Sequence, residues 1–104
     1  MYRLEYLPAA RRDMIDIVRY ISRELGNPAA ADRLALKLIE AGESIPPFPY
    51  ANPVHTPVRP LKREYRKLLV GSYAMFYWVD EQRKVVTVAR VIYARREHDR
   101  LLER

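Results

Sequence analysis

The chain has 104 residues, 49% hydrophobic and 31% charged, which suits one domain (residues 1–104) with one core under a well-solvated surface. It has no cysteine, which excludes a disulfide scaffold and any thiolate metal site, and its two histidines form no ligand pattern, so no metal or other cofactor is expected. No apolar targeting segment follows Met1 and no uncharged stretch approaches the width of a bilayer, so the reading is a cytoplasmic chain with no membrane contact. The net charge of +6 is one-sided: residues 1–58 carry seven Lys/Arg against seven Asp/Glu, whereas residues 59–104 carry twelve against six. A charge confined to one half marks a candidate docking face for nucleic acid or an acidic protein.

Tyr2, Leu4 and Tyr6 alternate with Arg3 and Glu5, the pattern of a short strand with one buried face. Pro8 suits a first helical position, and Met14, Ile17, Val18, Ile21 and Leu25 follow at helical spacing, predicting an amphipathic helix of four to five turns. Gly26 is a natural left-handed stop, Asn27 an N-cap and Pro28 a first helical residue. The second helix carries Ala31, Leu34, Ala35, Leu38, Ala41 and Ile45 on one side and stops at Pro46-Pro47. So short a connection predicts an antiparallel helical hairpin.

Residues 46–60 hold six of the eight prolines and read as an ordered crossover, pinned by Phe48 and Tyr50. Three strands follow, Tyr65 to Val70, Tyr73 to Val79 and Lys84 to Tyr93, joined by Gly71-Ser72 and by Asp80 to Arg83. They predict an antiparallel meander, whose edge is open to the first strand. Arg96 to Leu102 predicts a short C-terminal helix. The fold class is therefore α+β: an N-terminal strand, an antiparallel helical hairpin, a three-stranded antiparallel meander and a short C-terminal helix. Two helices on one side of the sheet would leave the other side bare, and Arg66 and Arg90 are expected there. Phe76 and Trp78, which share a face, are assigned to the core.

The run Tyr65-Arg66-Lys67-Leu68-Leu69-Val70-Gly71-Ser72-Tyr73-Ala74-Met75-Phe76-Tyr77-Trp78-Val79-Asp80 resembles the toxins of the RelE/ParE superfamily of type II toxin–antitoxin systems. So does Val91-Ile92-Tyr93-Ala94-Arg95-Arg96-Glu97, which is similar to the family's closing strand. The order and length of the elements in front agree, so the resemblance covers essentially the whole chain. It implies a cognate antitoxin and one of two targets. ParE-like members inhibit DNA gyrase, and RelE-like members cut messenger RNA on the ribosome. RelE-like enzymes resemble one another in placing an arginine after the tyrosine that opens the middle strand. Here Tyr73 is followed by Ala74, and Tyr93 stands where the family usually has histidine. RNA cleavage needs proton donors and acceptors beside phosphate-binding cations, and two of those parts are missing.

The resemblance is therefore closer to the ParE branch. It implies a target-binding surface at Arg66, Lys67, Arg90, Tyr93, Arg95 and Arg96. Arginine forks suit carboxylates and other anions, which favours Arg95 in particular. The ribonuclease alternative would draw on Arg66, Arg95 and His98 as catalytic groups. His98 can act as acid or base at neutral pH, yet a lone histidine in a charged run reads first as solvated surface. His55 has no acidic or second-histidine neighbour in sequence. Leu36 and Ile39 exceed what the hairpin needs for its own packing, and they are the expected seam for a disordered acidic antitoxin segment.

Overall fold

In the computed structural model, which describes residues 1–96 and 98–103, the alternating N-terminal run is strand β1 (Arg3–Tyr6), with Tyr2, Leu4 and Tyr6 packed on the core. Leu7 has an extended backbone and Pro8 begins helix α1 (Pro8–Arg19), so the missing proline N–H costs nothing. Ala10, Met14 and Ile17 place the apolar stripe of α1 on the sheet.

The first helix departs from expectation at its end. It does not run as α-helix to Leu25; a π-helical turn spans Tyr20–Glu24, with the Leu25 N–H on the Tyr20 carbonyl at 3.2 Å. The extra residue in that turn rotates Leu25 off the stripe and leaves it 59% exposed. Gly26 then takes φ 60°, the left-handed stop, and the Asn27 N–H closes on the Ile21 carbonyl at 3.1 Å. The Asn27 side chain accepts the Ala30 N–H at 3.1 Å and Pro28 opens α2 (Pro28–Ser44). Ala31, Leu38 and Gly42 are buried along α2, and a Cβ at Gly42 would overlap the Tyr6 hydroxyl.

Strands β2 (Arg66–Val70), β3 (Tyr73–Asp80) and β4 (Val85–Tyr93) form the meander, and β1 joins β4 in parallel, giving the order β1-β4-β3-β2. Gly71 turns the first hairpin at φ 59°. A register slip between Phe76 and Tyr77 pairs Phe76 with Arg90 and Tyr77 with Val88, so Ala89 is an extra residue in β4. Helix α3 (Asp99–Leu102) follows. Among the described residues no helix is long and apolar enough to cross a membrane.

One side of the sheet carries the helices: Met75, Tyr77, Val86, Val88 and Val91 meet Ala10, Leu38 and Ile45. The other side is not bare. Tyr65, Ala74, Phe76, Ala89, Ile92 and Leu101 form a second buried cluster, with Leu61, Trp78 and Leu102 at its margin. The crossover and the C-terminal segment cover it. The cause lies in β3 and β4, which are apolar on both faces and so demand cover on both. Burying Phe76 alone is worth about 1.5–3 kcal/mol. Trp78 lies at the rim with the Arg63 guanidinium 4.1 Å from its ring.

The pin of the crossover is also reassigned. Phe48 is 72% exposed, and Pro49 is the buried residue, its carbonyl accepting the Tyr77 hydroxyl at 2.8 Å. Tyr50 does anchor, because its hydroxyl donates to Glu81, which also binds Lys84 and the Tyr2 hydroxyl. Those three bonds, led by Lys84, hold the Glu81 carboxyl down at about 2. Past Asn52 the crossover lies along the outer edge of β2: His55 N–H reaches the Tyr65 carbonyl at 2.8 Å, and Lys67 N–H reaches that of Pro53 at 3.0 Å.

Candidate interaction surfaces

The six residues expected to meet a target fall into two groups. Arg66 and Arg90 serve the fold. Arg66 pairs with Tyr77, at the end of the helix-bearing face; its guanidinium lies 5.0 Å from the Tyr50 ring and donates to the carbonyls of Asn52 at 2.7 Å and Tyr50 at 3.2 Å. Arg90 grips Asp13 of α1 through Nε at 2.7 Å and a terminal nitrogen at 2.8 Å, and its other terminal nitrogen holds the Leu101 carbonyl at 2.8 Å. The Asp13 bond, against some cost of burial, keeps Arg90 firmly protonated. Asp13 also accepts the Val91 N–H at 2.9 Å. This has a topological cause: β1 pairs with β4 only as far as Tyr6 and Val88, so the next part of β4 lacks a strand partner and α1 supplies a carboxylate instead.

The second group is available to a partner. Tyr93 is 41% exposed with its ring 5.9 Å from Tyr73, and Arg95 and Arg96 are exposed in the turn that follows. That turn is fixed by Ala94 N–H on the Ser72 carbonyl at 2.8 Å and Arg96 N–H on that of Tyr93 at 3.0 Å. Neither arginine forms an ion pair among the described residues; both are exposed on a fixed backbone, and Arg96 also borders a hollow lined by Asp13 and Asp16. Lys67 pairs with Phe76 and lies half-buried on the second face, close enough for its charge to act on His98.

The histidines are not solvated surface. His55 Nε2 lies 2.7 Å from Asp99, with side chains 9% and 4% exposed, and the backbone N–H of Val58 donates to the other Asp99 oxygen at 2.7 Å. The His98 ring rests 4.8 Å from Phe76 and 5.9 Å from His55, and its buried Nε2 has no hydrogen-bond partner among the described residues. Burial above all, with help from the charges of Lys67 and His55, pushes the His98 imidazole below its usual value. Asp99 thus turns inward to His55 rather than toward Arg95 or Arg96. Sequence spacing gave no sign of this, since 44 residues separate His55 from Asp99.

The outer side of the helical hairpin carries an apolar groove of about 440 Å³ between α1 and α2, walled by Met14, Ile15, Val18, Ala35, Leu38 and Ile39 with Arg19 and Arg23 at the rim. A second hollow of about 360 Å³ continues it past Tyr6 and Leu4, sharing Met14, Ile15 and Ile39. Ile39 is 47% exposed at the junction, and Leu36 is 59% exposed nearby on α2, outside the groove walls. Ile15, 54% exposed, is the residue that sequence reasoning missed. Its signal was an isoleucine beside, rather than on, the stripe that α1 turns to the sheet.

A sheet of this order, with the hairpin on one side and a C-terminal cover on the other, is the fold of the RelE/ParE toxin superfamily. The structure is similar to a toxin–antitoxin ParDE structure from Pseudomonas aeruginosa (TM-score 0.70, 15% identity, 89% of this chain and 96% of that one). It is also similar to the archaeal RelE–RelB complex from Pyrococcus horikoshii (TM-score 0.58, 14% identity, 91% of this chain and 97% of that one). No curated protein matches the sequence. The model of the family "ParE toxin of type II toxin-antitoxin system, parDE" matches residues 4–98. The chain therefore belongs to the ParE toxin family, and it is a toxin of the type II toxin–antitoxin class.

Proposed function

We propose that this protein is a cytoplasmic single-domain toxin that inhibits DNA gyrase by contact and not by RNA cleavage. Tyr93, Arg95, Arg96 and Lys67 bear on the target, and a cognate antitoxin neutralises the toxin. The observation that carries the choice of target is the burial of the proton-transfer candidates. His98 is packed on Phe76, His55 is spent on Asp99, and Ala74 occupies the position where a catalytic arginine would stand. General acid–base catalysis needs such groups within reach of the substrate, and here both imidazoles are turned into the contact between the crossover and the C-terminal segment. The exposed arginines suit recognition of carboxylates or phosphates instead.

The antitoxin is assigned to the hairpin groove. An amphipathic segment would place its apolar residues against Ile15 and Ile39 and its acidic flank against Arg19 and Arg23. That such segments come from disordered, acidic chains follows from the cost of ordering them only on binding. The two structural relatives named above come from toxin–antitoxin systems, which supports a partner of this kind.

The decisive experiment runs two assays on the purified protein: supercoiling by gyrase, and cleavage of messenger RNA on stalled ribosomes. Inhibition of supercoiling with intact message is the expected result. Cleaved message with unimpaired supercoiling would transfer the protein to the ribonuclease branch, with Arg66, Arg95 and His98 as the residues to test there.

A further inference from the structure

The cover of the second face is made of two pieces of chain that hold each other. We propose that the crossover from His55 to Lys62 and the C-terminal segment from His98 to Glu103 form one acid-sensitive clasp, which opens as a unit at mildly acidic pH. Asp99 takes the His55 side chain and the Val58 N–H, both at 2.7 Å, and Glu103 takes the Lys62 N–H through both oxygens, at 2.8 and 2.9 Å. The Tyr65 hydroxyl adds a bond to Glu103 at 3.3 Å. All the donors named lie on the crossover side and both acceptors on the C-terminal side. If either piece lifts, the nearly buried His55 and Asp99 lose each other, and the surface bonds of Val58 and Lys62 go to water at the same time. That mutual dependence makes the opening cooperative. The two pieces bring Leu61, Leu101 and Leu102 to the cluster, and their cover of Phe76 and its neighbours keeps the clasp closed at neutral pH. Such a region belongs to the low-stability end of a domain.

His98 supplies the acid sensitivity. Its ring faces Phe76 of β3, His55 of the crossover, Lys67 of β2 and the carbonyls of Tyr93 and Ala94 past the end of β4. Asp99, its neighbour in sequence, is engaged by His55 and Val58. The buried Nε2 finds no acceptor among the described residues, so a proton there would place an unmet N–H and a positive charge beside Lys67 and His55. Closure therefore requires neutral His98. Its closed-state pKa lies below the ordinary 6.5, pushed down by burial first and by the charges of Lys67 and His55, although the carbonyls of Tyr93 and Ala94 oppose the shift. The clasp is thus at full strength above about pH 6.5, the open-state value, and weakens as pH falls toward the lower closed-state value. Asp99 does not cause that loss, because its His55 bond holds its carboxyl below 3.8, where it stays ionised through the same window.

The test is amide hydrogen exchange by NMR on the full chain between pH 7.5 and 5.5, corrected for the intrinsic chemical rate. Exchange at Val58 and Lys62 is expected to rise together by about three- to tenfold toward pH 5.5, with β3 amides unchanged. In His98→Phe, which keeps the ring contact with Phe76, the corrected rates should be level across the range. In Asp99→Asn, Lys62 should lose protection along with Val58 even though its own acceptor, Glu103, is untouched. Level rates in the wild type, the same rise in His98→Phe, or a Lys62 amide still protected in Asp99→Asn would each overturn the clasp. A direct titration of the His98 ring protons gives an independent check, and a value at or above 6.5 would overturn it as well.

Discussion

Asp13 shows how much one side chain can settle. It closes the unpaired part of β4, holds Arg90 in place, and through Arg90 reaches the Leu101 carbonyl of the C-terminal segment. Both side chains of the pair are mostly buried, 18% exposed for Arg90 and 15% for Asp13, so removing one leaves the other charge unmet. Asp13→Ala should therefore lower stability by roughly 2–4 kcal/mol in urea denaturation. Asp13→Asn, which keeps an acceptor for Val91, should cost visibly less, and equal losses in the two variants would show that the charge is irrelevant. Arg95 is the opposite case. It is exposed and forms no ion pair among the described residues, so Arg95→Ala should leave the melting temperature within about 2 °C. Under the gyrase reading it should also weaken growth arrest. Full arrest at unchanged expression would remove Arg95 from the target surface.

The hairpin joins the parts of the sequence that were easiest to read with one that was not. Gly26, Asn27 and Pro28 announce the helix junction through local backbone chemistry, and the junction forms as those residues dictate. The strand runs and the Gly71 turn are local signals of the same kind. The π-helical turn at Tyr20–Glu24 has no such signal, because an α-turn satisfies the same side chains equally well until tertiary packing chooses. The Asp13–Arg90 and His55–Asp99 pairs were hidden for a different reason: 77 and 44 residues separate the partners, and only the folded sheet brings them together. The covered second face was legible in principle, from Ala74, Phe76 and Trp78 alternating with equally apolar neighbours. The arginines misled because Arg66 and Arg90 read as charges of a bare face until their partners are seen. Two tests belong to the hairpin. Gly42→Ala should cost about 1–3 kcal/mol by pushing a methyl into the Tyr6 hydroxyl, and adding Tyr6→Phe should recover most of it. A loss that persists in the double variant would point to the helix backbone instead. Ile39→Asp, at the junction of the two hollows, should weaken antitoxin binding at least tenfold by calorimetry, and unchanged affinity would move the antitoxin elsewhere.

The charge asymmetry of the whole chain has a kinetic consequence. All of the net +6 lies in residues 59–104, and the fold neutralises only part of it: Asp13 comes from the other half to pair with Arg90, while Arg95 and Arg96 stay exposed. The helical hairpin, by contrast, comes from the half whose charges balance. A field of this shape orients the molecule during approach, so that the C-terminal side leads toward an acidic surface. Association with gyrase, if gyrase is the target, should then slow by about tenfold between roughly 50 and 300 mM salt, while dissociation changes much less. Steering also predicts where the charge must be. Arg95→Ala with Arg96→Ala should flatten the salt dependence, whereas Arg33→Ala with Lys37→Ala, which removes the same charge from exposed positions of α2, should leave most of it. Stopped-flow measurement of the two double variants at several salt concentrations separates the possibilities. Equal flattening in both would mean that only the total charge matters, and the asymmetry of the fold would then have no part in finding the target.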